Sequence, residues 1–453
     1  MPYEGTPELV LPADERSRTQ RSRDKQRATE QVTRVEENRN DLDAWNRVAQ
    51  NVIDNRRLRR LEGARYDLAE RIDDRDDPIL VVANELLVRT DELTKQERAR
   101  LRQLGATAIR NLEGRVVRVA MATSTPTDRR QRVSDSIQVP AAAPGTDRRR
   151  RHITVKEHYL APMGPVMKAL CNPEPSEGLG TDATRSGGTG LQISVVDTGI
   201  AASGRGDGWL AGVPETAANR DRLDDFPPVG LDFGAGHGTF AAGIIQQLAP
   251  DATIRVYRGL DSDGFGSEAN VASRMVQAAK EGAQIINLSF GLETADGEPP
   301  IGLEVAVDII RRRWPDVLLV AAAGNFGHPV PCWPAAFKGV TAVAGLDRSL
   351  RPAAWSSFGS WVDCSTIGEA VLSTFVTGSE ERPDEGQVDV DEYGPDAWAI
   401  WTGTSFAAPQ VAGAVAQLAQ AGNLRPRDAL AALLADASEV PGFGRAVPIL
   451  PPL

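Results

Sequence analysis

The 453-residue chain has little of what several protein classes depend on. Three cysteines are too few for a disulfide framework. Four histidines, His152, His158, His237 and His328, cannot supply the clustered imidazoles of a metal hydrolase or metal-dependent phosphatase. No apolar run approaches the roughly 20 residues that span a bilayer. The opening MPYEGTPELVLPADERSRTQ lacks the basic region and apolar stretch of a secretory leader. A net charge of -11 excludes the basic footprint of a dedicated nucleic-acid binder. No internal repeat is visible, and the scarcity of lysine beside arginine carries no mechanism. What is present is ordinary: 41% hydrophobic and 25% charged residues exclude wholesale disorder. The length asks for more than one unit. These absences lead to the expectation of a cytoplasmic chain that contacts neither membrane nor nucleic acid.

Composition divides the chain. Residues 1–76 are dense in charge of both signs and read as a solvated, partly helical or disordered arm, with Trp45, Val48, Val52, Ile53, Leu58 and Leu61 at helical spacing. Residues 77–122 read as a small α+β unit: a strand in DPILVVANELLV, a helix capped by Thr94, then two short strands around Glu113-Gly114. Residues 123–187, with their Pro, Ser and charge and the run Arg148–Arg151, read as linker and lead-in. From 188 to 453 the texture changes. The apolar runs ISVVD, IRVYRGL, IINLSFG, VLLVAAAG, GVTAVAGL and AVLSTF occur among helical segments, which predicts a doubly wound α/β domain with a buried parallel sheet.

Ligands of such sheets bind beyond the carboxyl ends of the strands. Four polar residues fall there: Asp197 closing ISVVD, His237 in GAGHGTFAAGII, Asn325 ending VLLVAAAGN, and Ser405 in GTSFAAPQVAG. Each alone is commonly a cap or turn residue. Together they are an acid, an imidazole, an amide donor and a hydroxyl, the set nucleophilic acyl transfer requires. A serine needs a base to take its proton, and His237 can take it and return it to the leaving amine. Asp197 would hold the imidazole in one tautomer. Asn325 and the Ser405 backbone N–H could donate to the oxyanion, aided by the start of a helix.

On these motifs the sequence resembles the subtilisin-like serine proteases, or subtilases. VVDTGI resembles the aspartate motif, GHGTFAAGII the histidine motif and GTSFAAPQVAG the serine motif, in the order Asp, His, Ser. IINLSFG and AAAGN resemble the two segments lining that family's cleft. The resemblance covers roughly residues 188–440. It implies a sheet of subtilisin type and a serine endopeptidase acting through an acyl-enzyme on protein or peptide substrates. It further implies that Ser289, Phe290 and Gly291 face Ala322, Ala323 and Gly324 across a specificity pocket with Cys332 on its floor. Gly264, Phe265 and Gly266 would be the edge strand beside the substrate, Phe326 the rim, and Trp333-Pro334 an aromatic-proline pair. The expected pocket is shallow and apolar, favouring a medium-sized hydrophobic side chain.

Two segments depart from the family. GSEERPDEGQVDVDEYGPDAW (378–398) is an acidic insertion, read as a solvated loop before a flap or a calcium site built on Asp389, Asp391 and Glu392. Many relatives bind calcium, and no loop here has convincing ligand spacing, so no cofactor or metal ligand is assigned and calcium is left open. The region before residue 150 compares with a family propeptide ending in VVRVAM, or with a retained regulatory module that contacts a partner protein. With no export signal visible, the retained module is the expectation. The alternative function is a latent peptide-binding scaffold that needs a partner or a cut to become active.

Overall fold

The computed structural model describes residues 9–38, 50, 54, 56, 69–72, 79–120, 126–137, 154–162, 172–180, 190–225, 230–294, 297–384 and 387–453. The segment around Trp45 and the run Arg148–Arg151 lie outside them. The N-terminal part contains α1 (Arg18–Asn38), β1 (Ala69–Ile72), β2 (Ile79–Arg89), α2 (Lys95–Gln103), β3 (Thr107–Ala108), β4 (Val116–Ala120), α3 (Pro126–Ile137) and β5 (Val155–Pro162). Helix α2 starts at Thr94, whose hydroxyl accepts from the Glu97 N–H while the Glu97 carboxylate accepts from the Thr94 N–H. Two of the N–H groups that helix geometry strands are thereby satisfied. Strand β2 lies between β4 and β5, and Leu86, Val88, Leu93, Leu101, Val119 and Val133 form a small core of their own.

This unit reaches beyond residues 77–122. The stretch expected to be linker contributes β5 to its sheet and Val133 of α3 to its core. Farther along, β6 (Glu174–Ser176) joins a different sheet. The charged arm also differs from expectation, because α1 docks. Its inward face is Asp24, Ala28, Gln31 and Val35, all buried at helical spacing. Half of that face is polar, so no hydrophobic periodicity announces it.

The larger domain runs through β7 (Gln192–Asp197), α4 (His237–Leu248), β8 (Thr253–Arg258), β9 (Phe265–Ser267), α5 (Glu268–Lys280), β10 (Ile285–Leu288), α6 (Ile301–Arg313), β11 (Leu318–Ala322), β12 (Val340–Leu346) and β13 (Cys364–Ile367). It continues with β14 (Val371–Thr374), β15 (Gly378–Asp384), β16 (Gln387–Tyr393), β17 (Trp398–Trp401), α7 (Thr404–Gly422), α8 (Pro426–Leu434), β18 (Ser438–Val440) and β19 (Gly444–Ala446). The main sheet has the order β18-β19-β13-β12-β11-β10-β7-β8, with every pairing parallel except β18 with β19. Its inner strands are buried throughout, as helices on both faces require. The chain runs outward from β7 to β8 and then crosses back to β10. The order therefore reverses beside β7, and a crevice opens at the strand ends there.

Two local readings change. AVLSTF is not part of the parallel sheet: β14 pairs antiparallel with β17, in the order β14-β17-β6. The parallel strand in that region is β13, whose polar CSTI gave no apolar signal. The acidic insertion is a regular antiparallel hairpin, β15 with β16, rather than a loop.

The N-terminal unit seats on α5 and α6. Arg89 pairs with Glu304 and Arg115 with Asp308, at 2.8 and 2.7 Å, while Asn111 donates to the Ser273 carbonyl. Strand β5 then runs antiparallel to β9, with Leu160 opposite Ser267, Ala161 opposite Gly266 and Pro162 opposite Phe265. One sheet thus joins the N-terminal unit to the larger domain.

Candidate active site

Asp197 is the last residue of β7 and His237 the first of α4, and both are buried. Their approach depends on the glycines around the histidine. Gly236 has φ +79°, and a Cβ there would meet Phe375 at 2.7 Å. A Cβ on Gly238 would lie 2.2 Å from the Gly199 carbonyl, so only glycine lets the helix start reach the aspartate turn. Asp197 Oδ1 stands 2.7 Å from His237 Nδ1 and also accepts the Thr198 N–H at 2.7 Å. This contact places the proton on Nδ1 and leaves Nε2 as the basic nitrogen. Nε2 is buried and has no hydrogen-bond partner. Trp401 meets the imidazole edge-on at 5.6 Å and Phe406 at a tilt at 5.3 Å, fixing the ring plane.

A second acid stands behind this pair. Asp221 Oδ2 accepts from Thr198 Oγ1 and from the Gly236 N–H, both at 2.9 Å, and Thr198 Oγ1 accepts from the Gly238 N–H. Burial pushes its carboxyl up to about 6 against those donors. Asp221 thus ties the aspartate turn to the histidine helix. It lies in an irregular stretch with no motif around it, and sequence reasoning missed it; the threonine of VVDTGI was the available hint.

Ser405 is the second residue of α7, at the end where backbone N–H groups lack intrahelical partners. Pro409 sits one turn later inside the helix. Having no N–H, it leaves the Ser405 carbonyl without its usual i+4 donor. Ser289 Oγ takes that place, donating to the Ser405 carbonyl at 2.6 Å, and Asn287 Nδ2 donates to Ser289 Oγ at 2.9 Å. The Ser405 hydroxyl donates to the Ser289 carbonyl at 3.1 Å.

Asn325 follows β11. Its Oδ1 accepts from the Thr404 N–H at 3.0 Å and from Thr404 Oγ1 at 2.8 Å, which orients the amide. Its Nδ2 lies on the Gly403 side, 3.7 Å from where a Cβ would stand on that glycine. Asp197, His237, Asn325 and Ser405 therefore gather at the ends of β7 and β11 and the starts of α4 and α7.

The remaining expected residues fall in two groups. Cys332 Sγ occupies the space between two glycines, 2.4 Å from a notional Cβ on Gly291 and 2.9 Å from one on Gly324. Cys332 and Cys364 are buried free thiols, and burial holds the Cys332 thiol well above its ordinary pKa, hence neutral. Ser289, Ala322 and Ala323 are buried, and the Phe290 side chain belongs to the core, so its segment contributes backbone rather than a side-chain wall. The Trp333-Pro334 peptide is cis, and Phe326 stacks on His328. Gly264, Phe265 and Gly266 lie on or beside β9, the strand that β5 covers.

Among the described residues no group of three His, Cys, Asp or Glu could hold a metal ion, and no helix is long and apolar enough to cross a membrane. In the inserted hairpin Asp391 is half-buried and Glu392 exposed.

A buried aspartate-histidine pair packed against Phe406 of the helix that Ser405 opens, on a reversing parallel sheet, defines the subtilisin class of fold. The subtilase (peptidase S8) family model matches residues 188–447, and the chain belongs to that family. It is 33% identical over 263 residues to the thermophilic serine proteinase of Bacillus sp. (strain AK1), a match covering 55% of this chain and 57% of that one. It is 34% identical over 246 residues to thermitase of Thermoactinomyces vulgaris, covering 52% and 77%. Fervidolysin from Fervidobacterium pennivorans, a keratinolytic enzyme related to subtilisin, shares the fold with a TM-score of 0.55 at 20% identity, over 82% of this chain and 60% of that one.

Proposed function

We propose that the chain is a serine endopeptidase whose cleft is held shut by its own N-terminal unit. The observation that carries the reading is the 2.7 Å contact of Asp197 with His237 Nδ1, which leaves a partnerless Nε2 in a buried site. In this reaction Ser405 Oγ attacks a peptide carbonyl while His237 Nε2 takes its proton. The oxyanion lies between Asn325 Nδ2 and the Ser405 N–H. The imidazolium, stabilised by Asp197, returns the proton to the departing amine, and water repeats the sequence on the acyl-enzyme. Extended peptides add to β9 as an antiparallel strand, the position β5 occupies. The uncharged Cys332 thiol between Gly291 and Gly324 suits a medium-sized apolar side chain over a basic one. Dominant cleavage of a peptide library after Arg or Lys would sink that preference.

Intact-mass spectrometry of the wild type and Ser405→Ala with a fluorophosphonate tests the core of the proposal. One adduct is expected, on the wild type alone. Labelling of both proteins, or of neither once the N-terminal unit is displaced, refutes it.

Closure also has an expected pH dependence. Glu268 opens α5 directly after β9 and is fully buried, its two oxygens accepting from the Tyr159 N–H of β5 and the Gly302 N–H of α6. Burial pushes its carboxyl up to about 8, against those donors and Lys156. Once β5 leaves and water enters, the group falls back toward its ordinary 4.5. The closed form then holds the extra proton between those values, so closure is strongest at low pH and weakens as pH rises through about 8. Fluorophosphonate reactivity of the full chain should rise from about pH 6 to about pH 9 more steeply than in Glu268→Gln. Parallel profiles for the two proteins would contradict this.

A further inference from the structure

We propose that α1, acting through Gln31, is a permanent positioning element for the loop that carries Ser405, so that residues 9–38 work with the peptidase rather than against it. The inference rests on the peptidase reading above. Gln31 is fully buried, 371 residues away in sequence from the loop it touches. Its Oε1 accepts from Thr402 Oγ1 at 2.7 Å, and its Nε2 donates to the carbonyls of Ile400 at 3.0 Å and Asn172 at 2.8 Å. Thr402 Oγ1 in turn accepts the Ala370 N–H at 2.9 Å, and the next residue, Gly403, donates to the Gly368 carbonyl at 2.8 Å. The segment that delivers Ser405 is thus pinned at Thr402 by α1, at Gly403 by the main body and at Thr404 by Asn325.

The rest of the arm is fastened to the same structure. Asp24 is buried between Arg16 Nη1 at 2.8 Å and Ser176 Oγ at 2.9 Å, and Arg34 pairs with Glu174 of β6. Val10 exchanges both backbone groups with the Gln417 side chain on α7, the helix that Ser405 opens. Withdrawal of Gln31 takes the acceptor from the Thr402 hydroxyl and a donor from the Ile400 carbonyl, so the segment leading to Ser405 loses a fixed link. The two N-terminal parts therefore act with opposite sign: the β1–β5 unit covers the cleft, and α1 supports the nucleophile.

The test uses the full chain, in whatever active form it reaches, carrying Gln31→Met, Thr402→Val or both. Each single variant should lower kcat about tenfold or more, with KM within about twofold and a folded circular-dichroism spectrum. The double variant should lose clearly less than the product of the two single losses, because both remove the shared Gln31–Thr402 bond. Intact mass of the active form should show residues 9–38 still bound. Unchanged kcat in Gln31→Met, additive losses, or full activity after loss of residues 9–38 overturns the proposal. If Gln31→Met fails to fold, the kcat of Thr402→Val and the retention of residues 9–38 decide it. An inactive wild type overturns the peptidase reading, and this inference with it; an active wild type matched by its variants overturns this inference alone.

Discussion

Asn325→Ala is expected to lower turnover by about 10²–10³ with little change in KM, a magnitude known from this family rather than derived from the distances here. The geometry accounts for the direction. Thr404 holds Oδ1 through two hydrogen bonds, so Nδ2 is oriented before any substrate arrives and needs no reorganisation when charge develops. A ground-state carbonyl gains less from that donor than an oxyanion does, which is why the loss should fall on kcat. Thr404→Val, which removes the side-chain bond to Oδ1 and keeps the backbone one, should show a smaller loss of the same kind. Steady-state kinetics on a chromogenic peptide, normalised by active-site titration, separates the two parameters. A loss carried wholly by KM would place Asn325 in uniform binding and not at the oxyanion.

Arg56→Ala should act in the opposite sense and raise the reactivity of Ser405 in the full chain about 100-fold or more. Arg56 is buried against the turn that leads into β9: Nε and Nη2 clasp the two oxygens of Asp263 at 2.8 and 2.9 Å, and Nη2 also donates to the Phe265 carbonyl at 3.0 Å. Asp263 is as buried as its partner. Breaking such a pair from one side leaves a buried carboxylate uncompensated, at a cost of about 3–5 kcal/mol. That cost applies in the closed arrangement and disappears in the open one, where Asp263 regains water. Since about 1.4 kcal/mol is a factor of ten, two decades of closure or more should be lost. The rate of fluorophosphonate labelling in Arg56→Ala against wild type measures it, with melting temperature as the check on folding. Equal rates would show that Arg56 is not part of the closure.

The alternation of apolar runs with helical segments was enough to predict the doubly wound sheet, because strands covered on both faces need continuous apolar residues. Asp197, His237, Asn325 and Ser405 were legible for a related reason: each stands where a strand ends or a helix begins, among glycines that mark close approach. The capped helix and short strands of the N-terminal unit were readable too, since caps and turns are local. Three residues central to the argument were not. Asp221, Gln31 and Arg56 are polar side chains buried against partners 23, 371 and 207 residues away in sequence, and no periodicity or spacing marks them. The pairing of β5 with β9 is hidden likewise, because two short strands choose each other only when the bodies carrying them have docked. Local chemistry thus determined which polar residues stand at the strand ends and helix starts. Long-range polar contacts, visible only in the fold, decided what the loop before Ser405 and the turn into β9 rest against.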